Sequence, residues 1–270
     1  MFYPIQVDLP ERSCVEQAVV VLNPSESKRL LAKAVVELPE VKQAYAEGRL
    51  AVTTSTTGAF VLEELTGEKI PAYCYCIGLV ADGLLTMTHQ DDREGARFFL
   101  KGERVMEDAR TFFEAFAKGD VAIKGANAVD PQGTAGVLAA NPQSGTIGAL
   151  ISRVLVRGAH VIIPVGLEKL VASVPEAAAG WGQLTLSRCM GATVGLVPVS
   201  SALVVTEIQA LGLLAGVAVR HVASGGVGGS EGAVVLLLEG HSENVAKAWD
   251  LVQSVKGEPA LEVPRHQFSC

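Results

Sequence analysis

The chain has 270 residues, enough to bury a full core as one large domain or two ordinary ones, and two are expected. A formal net charge of −7 and a pI near 5.3 argue against a nucleic-acid partner, because binding a phosphate backbone needs clustered Lys and Arg. Hydrophobic residues make up 49% against 19% charged, with mean hydropathy +0.33, a balance that predicts apolar surface hidden in a homo-oligomer.

Residues 1–13 contain no basic stretch followed by an apolar one, and no later window reaches the roughly 18 uninterrupted apolar residues of a membrane span. A cytoplasmic protein without a membrane partner is expected. Cys14, Cys74, Cys76, Cys189 and Cys270 are odd in number and fit no disulfide framework, so reduced thiols are expected. Cys74 and Cys76 lie two apart, which in a strand gives one core-facing side. His89, His160, His221, His241 and His266 are scattered away from zinc-site spacing, and neither metal nor cofactor is expected.

In chain order, Asn23-Pro24-Ser25-Glu26 opens a helix whose Leu30, Leu31, Ala34, Val35 and Leu38 recur at helical spacing up to Pro39. A second helical piece ends at Gly48. Leu50-Ala51-Val52 is a short apolar strand that runs into Thr53-Thr54-Ser55-Thr56-Thr57-Gly58, and a helix over 59–65 completes a strand-loop-helix unit. Residues 73–80 and 84–88 read as strands around a turn at Ala81-Asp82-Gly83.

Val105, Ala109, Phe112, Phe113 and Phe116 form a helical stripe, and 120–124 is a short strand stopped by Gly125. A long polar loop over 125–145 then leads to a helix from about Thr146 to Arg157 and an apolar strand over 160–165. Apolar strands bounded by helices indicate a doubly wound, largely parallel α/β sheet over the first part of the chain. A helical stretch over 167–190 is followed by β-α-β-β-α at 193–197, 203–215, 217–222, 233–238 and 242–256, a ferredoxin-like α+β module with 224–232 as its hairpin turn. The expected division is therefore a Rossmann-like domain over 1–190, a ferredoxin-like domain over 191–258 and an irregular tail over 259–270.

Three loops carry candidate chemistry. Thr53, Thr54, Ser55, Thr56 and Thr57 lie where a strand ends and a helix begins, so free N–H groups, the helix dipole and hydroxyls favour an anion; plain helix capping is the alternative. Gly125, Asn127, Asp130 and Gly133 follow the next strand and offer an amide, a carboxylate and open backbone, or else form an ordinary Asp-Pro-x-Gly turn. Ser144, Gly145 and Thr146 open a helix with small residues, again exposing N–H groups. Lys124 either adds charge beside the second loop or is a solvated strand end. The 224–232 turn lacks a P-loop ending and reads as a flexible hairpin, or as a lid over these loops that brings His221 and Glu231.

Over about residues 48–170 these loops resemble the superfamily of ribose-5-phosphate isomerase, glucosamine-6-phosphate deaminase, coenzyme A transferases and initiation-factor-2B-like proteins. Ser55-Thr56 are similar to that group's phosphate loop, Gly125-Ala126-Asn127 to its Gly-Ala-Asp segment, and Gly145-Thr146 to the glycine-rich opening of its next helix. The resemblance implies an isomerase- or transferase-type domain that holds a phosphorylated or carboxylated metabolite. Asn127 stands where the pentose-phosphate isomerases have Asp, which leaves Asp130 as the candidate acid or base. An enzyme of this kind, a non-catalytic metabolite sensor and an oligomeric assembly component are the three functions the sequence leaves open.

Overall fold

In the computed structural model, which describes residues 1–264, the chain is a mixed α/β protein. It begins with β1 (Glu16–Leu22), α1 (Pro24–Glu37), α2 (Pro39–Glu47), β2 (Arg49–Val52) and α3 (Thr56–Thr66). The hairpin β3 (Gly78–Ala81) and β4 (Leu84–Met87) follows, then β5 (Arg97–Leu100), β6 (Glu103–Val105) and α4 (Ala109–Glu114). Next come β7 (Val121–Ile123), β8 (Ala128–Val129), β9 (Ala135–Ala139), α5 (Gly145–Val156), β10 (His160–Pro164) and α6 (Val174–Ala178). The last part holds β11 (Gly195–Val199), β12 (Leu203–Val205), α7 (Glu207–Ala215), β13 (Ala218–Ser224), β14 (Val234–Gly240) and α8 (Ser242–Val255).

The central sheet has six strands in the order β12-β10-β7-β2-β5-β6. Its first four are parallel, and β5 and β6 extend it antiparallel beyond β2. Strand alternation feeds two cores. Leu50, Val52, Val121, Ile123, Ile162 and Val205 face α1, α3 and α7, whereas Ala51, Ala122, Val161, Ile163 and Val204 face Phe112, Phe113 and Phe116 and the apolar side of α5. Both sides of these strands are thus covered by apolar groups, which is why they read as continuous apolar runs.

A three-stranded antiparallel sheet, β1-β14-β13, takes its first strand from residues 16–22. Val20, Leu236 and Leu238 on its inner face belong to the same apolar cluster as Leu50 and Ile123. The sheet therefore draws on both segments that the sequence reading separates at residue 190. The strand expected at 193–197 is β11, and it pairs antiparallel with β9 instead of joining β13 and β14. The expected helix over 203–215 divides at Thr206, with β12 before it and α7 after it. Thr206 accepts the N–H of Ile208 and forms a capping box with Gln209, which fixes the helix start there.

Other local expectations shift for identifiable reasons. The stretch over 167–190 holds only a 3-10 turn and the five-residue α6, because Pro175, Gly180 and Gly182 interrupt it. The long loop over 125–145 contains the β8–β9 hairpin. Residues 73–76 form a turn before the β3–β4 hairpin, whose Asp82 and Gly83 take positive φ as such a turn requires. No helix among the described residues is long and apolar enough to cross a membrane. Residues 259–264 have no regular structure, while the remainder of the expected tail, with His266 and Cys270, lies outside the described residues.

Candidate functional site at the carboxyl rim of the parallel strands

Four parallel strands end on one edge, and each hands the chain to a polar segment there. Residues 53–57 follow β2, Lys124 follows β7, Gly166 to Lys169 follow β10, and Thr206-Glu207 follow β12. The first turns of α3 and α7 start from this edge. The first turn of α1 joins it through Ser27 and Lys28, both of which act on Glu207. In open α/β sheets this edge is where ligands bind, and three helix N-termini add positive potential to it.

The charge content of the rim is unusual for a partly buried region. Lys28, Lys124 and Lys169 are each partly exposed; the charge of Lys169 acts on both of the others, and all three act on Cys76. The Lys28 ammonium donates to the Pro24 carbonyl at 3.2 Å and that of Lys124 to the Gly125 carbonyl at 3.2 Å. Neither reaches a carboxylate within ion-pair distance among the described residues; Lys169 pairs with Glu168 at 3.7 Å. Burial draws the Lys28 amine down to about 8, helped by Lys169 and opposed by Glu168 and Glu207. Burial lowers Lys124 to about 8 as well, with Cys76 opposing and Lys169 adding to the effect.

Two carboxylates complete the cluster. Glu207 is fully buried; its Oε2 accepts the Leu167 N–H at 2.9 Å, and its Oε1 has no hydrogen-bond partner among the described residues. Burial, and after it the charge of Glu168, raises its pKa to about 7, so its protonated and charged forms coexist near neutral pH. Ser27 lies against it without a hydrogen bond of ordinary geometry. The Oε2 of Glu168 is also buried and unpartnered, tucked against Gly166 where a Cβ would collide with it. Buried polar atoms without partners are costly in a folded protein, and here three of them gather at one rim.

Cys76 sits at the same place. Its Sγ is 3.1 Å from the Gly78 carbonyl and is approached by the Thr56 amide. Burial pushes the thiol up, against the pull of Lys124, Thr56, Lys169 and Lys28. The expectation of a core-facing strand pair at Cys74 and Cys76 gives way to a turn that delivers one thiol to the rim.

The residues named from sequence divide between this rim and other places. Ser55 caps α3 by accepting the Gly58 N–H at 2.8 Å, and Thr53 spends its hydroxyl on the Ile123 carbonyl at 2.9 Å. Thr54 and Thr57 are buried, and Thr56 remains partly exposed. A Cβ added to Gly125 would lie 2.7 Å from the Ser55 Cβ, so the first two loops abut there and only glycine fits.

Asn127 points elsewhere: it is exposed, and its Oδ1 accepts the Leu138 N–H at 3.0 Å to hold the β8–β9 hairpin. Asp130 is 1% exposed, and its carboxylate accepts the N–H groups of Gln132 (3.1 Å), Thr134 (2.8 Å) and Val174 (3.0 Å). Gly133, at φ +77°, packs against the backbone of Met1 and Phe2. This turn is the Asp-Pro-x-Gly alternative, with Asp130 as its organiser. Ser144, Gly145 and Thr146 open α5; Ser144 and Gly145 take positive φ, and Gly145 and Gly148 meet only atoms of residues 141–144 of their own loop. The 224–232 turn is exposed over most of its length but reaches the rim at Gly232, which lies against Pro24 and Glu168.

Sequence reasoning missed Lys28, Glu168, Lys169, Glu207 and Cys76. A strand-end signal existed for three of them: Glu168 and Lys169 follow the apolar run over 160–165, and Glu207 follows 203–205. No group of His, Cys, Asp and Glu among the described residues is arranged to hold a metal ion. The chain matches no family model, no curated protein and no solved structure.

Proposed function

We propose that the chain binds a small anionic metabolite, phosphorylated or carboxylated, at the carboxyl rim of β2, β7, β10 and β12. The observation that carries this reading is the convergence of Lys28, Lys124 and Lys169 on Cys76, whose thiol the Thr56 amide at the start of α3 approaches, with Lys28 and Lys124 reaching no carboxylate within ion-pair distance among the described residues. Burial of these cations and the repulsion of Lys28 and Lys124 by Lys169 raise the free energy of the empty protein. A doubly charged anion removes that repulsion, and the Thr56 amide adds a donor from the helix end.

Helices on both faces of the central sheet, with loops at its carboxyl edge, support the doubly wound reading and the resemblance to the ribose-phosphate isomerase and coenzyme A transferase superfamily. The β1-β14-β13 sheet with α8 against it supports a ferredoxin-like reading of the second module, completed by a strand from the N-terminal segment. Isomerase- or transferase-type chemistry on a sugar phosphate or similar metabolite, in a cytoplasmic homo-oligomer, is the activity this reading favours. Within it Glu207 is the better acid, because one of its oxygens is uncommitted while both Asp130 oxygens hold backbone. A sensor without turnover is the second reading, favoured by the spent hydroxyls of Thr53 and Ser55.

The test is thermal unfolding with inorganic phosphate, pyrophosphate and citrate at constant ionic strength. A ligand at 100 times its dissociation constant stabilises by about 2.7 kcal/mol. The expected result is a shift with at least one anion that disappears in Lys28→Met/Lys169→Met and persists in Lys118→Met, an exposed lysine away from the rim. No shift with any anion, or the same shift in all three proteins, contradicts the reading.

A further inference from the structure

We infer that Lys124 is an amine nucleophile which forms an imine with the carbonyl carbon of a small anionic oxo compound held at the rim. The inference rests on the anion-binding reading and goes further by naming the chemical class of the ligand and the reacting atom. Four observations converge. Lys124 follows directly on β7, an inner parallel strand, so its backbone is fixed by hydrogen bonding to β10, with its N–H on the Ile162 carbonyl at 3.0 Å. Its ammonium bonds only a backbone carbonyl and reaches no carboxylate among the described residues, so no ion pair competes for it.

Lys169 pairs with Glu168, and Lys28, though drawn down to about 8 like Lys124, has Glu168 and Glu207 pulling it back toward the charged form, which no carboxylate among the described residues does for Lys124. Finally, a fully buried carboxyl with an uncommitted oxygen, Glu207, stands at the same rim two strands away. An amine whose neutral form is favoured by burial and by Lys169, an acid to remove water and cations for the substrate's charge are what imine formation requires.

The step balances without an added oxidant or reductant. The lone pair of the neutral Lys124 Nζ forms a bond to the carbonyl carbon, the C=O π pair moves to oxygen, and the nitrogen proton passes to that oxygen to give a carbinolamine. The C–O bond then breaks as oxygen takes a proton from Glu207, water leaves, and the nitrogen lone pair forms the C=N bond of a protonated imine. Lys28, Lys169 and the Thr56 amide hold the carboxylate or phosphate of the same molecule meanwhile. The imine draws electrons from the adjacent carbon, which gives the rim a route to proton abstraction or bond cleavage there.

Reductive trapping tests this on the intact protein. The chain is incubated near pH 7 with pyruvate or, separately, dihydroxyacetone phosphate, plus sodium cyanoborohydride, and the modified lysines are mapped by peptide mass spectrometry. An amine titrating near 8 is far more often neutral at pH 7 than an ordinary lysine, so Lys124 is expected to be labelled at least about tenfold faster than exposed Lys118. The labelling should saturate with the oxo compound and be competed by inorganic phosphate. Preference for one of the two probes tells whether carboxylate or phosphate is the recognised charge. In Lys124→Arg, whose guanidinium forms no imine under these conditions, the fast adduct should vanish.

Labelling spread evenly over exposed lysines, or no adduct with either probe in a protein that phosphate still stabilises, overturns the imine and leaves the anion site standing. Absence of both adduct and phosphate shift overturns the two together.

Discussion

Two neighbouring residues of α1, Lys28 and Arg29, belong to charge clusters of opposite character. Arg29 is anchored by Glu63 at 2.5 Å, Glu64 at 2.9 Å and Glu258 at 2.8 Å, with its guanidinium over the Phe60 ring and Lys33 joining Glu64. Lys28, one residue earlier, has a carbonyl for its only hydrogen-bond partner among the described residues, and the charge of Lys169 acts on it. The Arg29 cluster also borders a cleft of about 360 Å³, and a second cleft of about 550 Å³ lies along 94–107. Neither includes the rim. Counting unmatched charge separates a bond that ties α1, α3 and the C-terminal segment together from a site left open for a ligand.

The contrast breaks most sharply at Arg29. Replacing it by Met strands three glutamates in a mostly buried cluster and is expected to cost about 3–5 kcal/mol in urea unfolding. Asp130 follows as a structural carboxylate: Asp130→Ala frees three backbone N–H groups, two of them in its own turn and one at the start of α6. A loss of about 3 kcal/mol is expected, with phosphate binding unchanged by calorimetry. Gly133→Ala forces a side chain into positive φ and into the Met1–Phe2 backbone, which should lower stability by about 2 kcal/mol.

The rim itself should sharpen the contrast through pH. Glu207 holds its proton more tightly folded, at about 7, than at its ordinary 4.5, so between those values the unfolded state releases its proton first and stability falls as pH rises. Glu207→Gln should flatten that slope by on the order of 1 kcal/mol in thermal unfolding at pH 5 and pH 8. Lys28 and Lys124 act in the opposite sense between about 8 and 10.5, where the unfolded state binds more protons and stability rises with pH. The smallest effect is expected at Lys28→Met, a gain of about 0.5 kcal/mol over the parent, because relief of its burial and of the Lys169 repulsion outweighs the lost Pro24 hydrogen bond and the pull of Glu168 and Glu207.

Legibility from sequence followed locality. The start of α1 at Asn23 to Glu26, the β3–β4 turn and the Ser55 cap were readable because each rests on residues a few positions apart. Pairing of β1 with β14, and of β11 with β9, was not, since strand partners are chosen by long-range packing that periodicity does not encode. The site divided in the same way. Thr56, Gly125 and Lys124 flank strands that the sequence locates, whereas no local pattern marks Lys28, and Glu207 lies inside a predicted helix that Thr206 in fact splits. Asp130 was named from a motif with two possible meanings, and its three backbone partners bring out the architectural one.

The central claim, that unmatched ammonium groups at the rim await an anion, is tested most directly by phosphate titration calorimetry at pH 8 in two buffers of different ionisation enthalpy. Lys28 and Lys124, each near half-protonated there, should take up protons as the anion binds, so the heats should differ between buffers, and the difference should shrink in Lys28→Met. Binding heats identical in both buffers, or a proton uptake unchanged by that substitution, would contradict it.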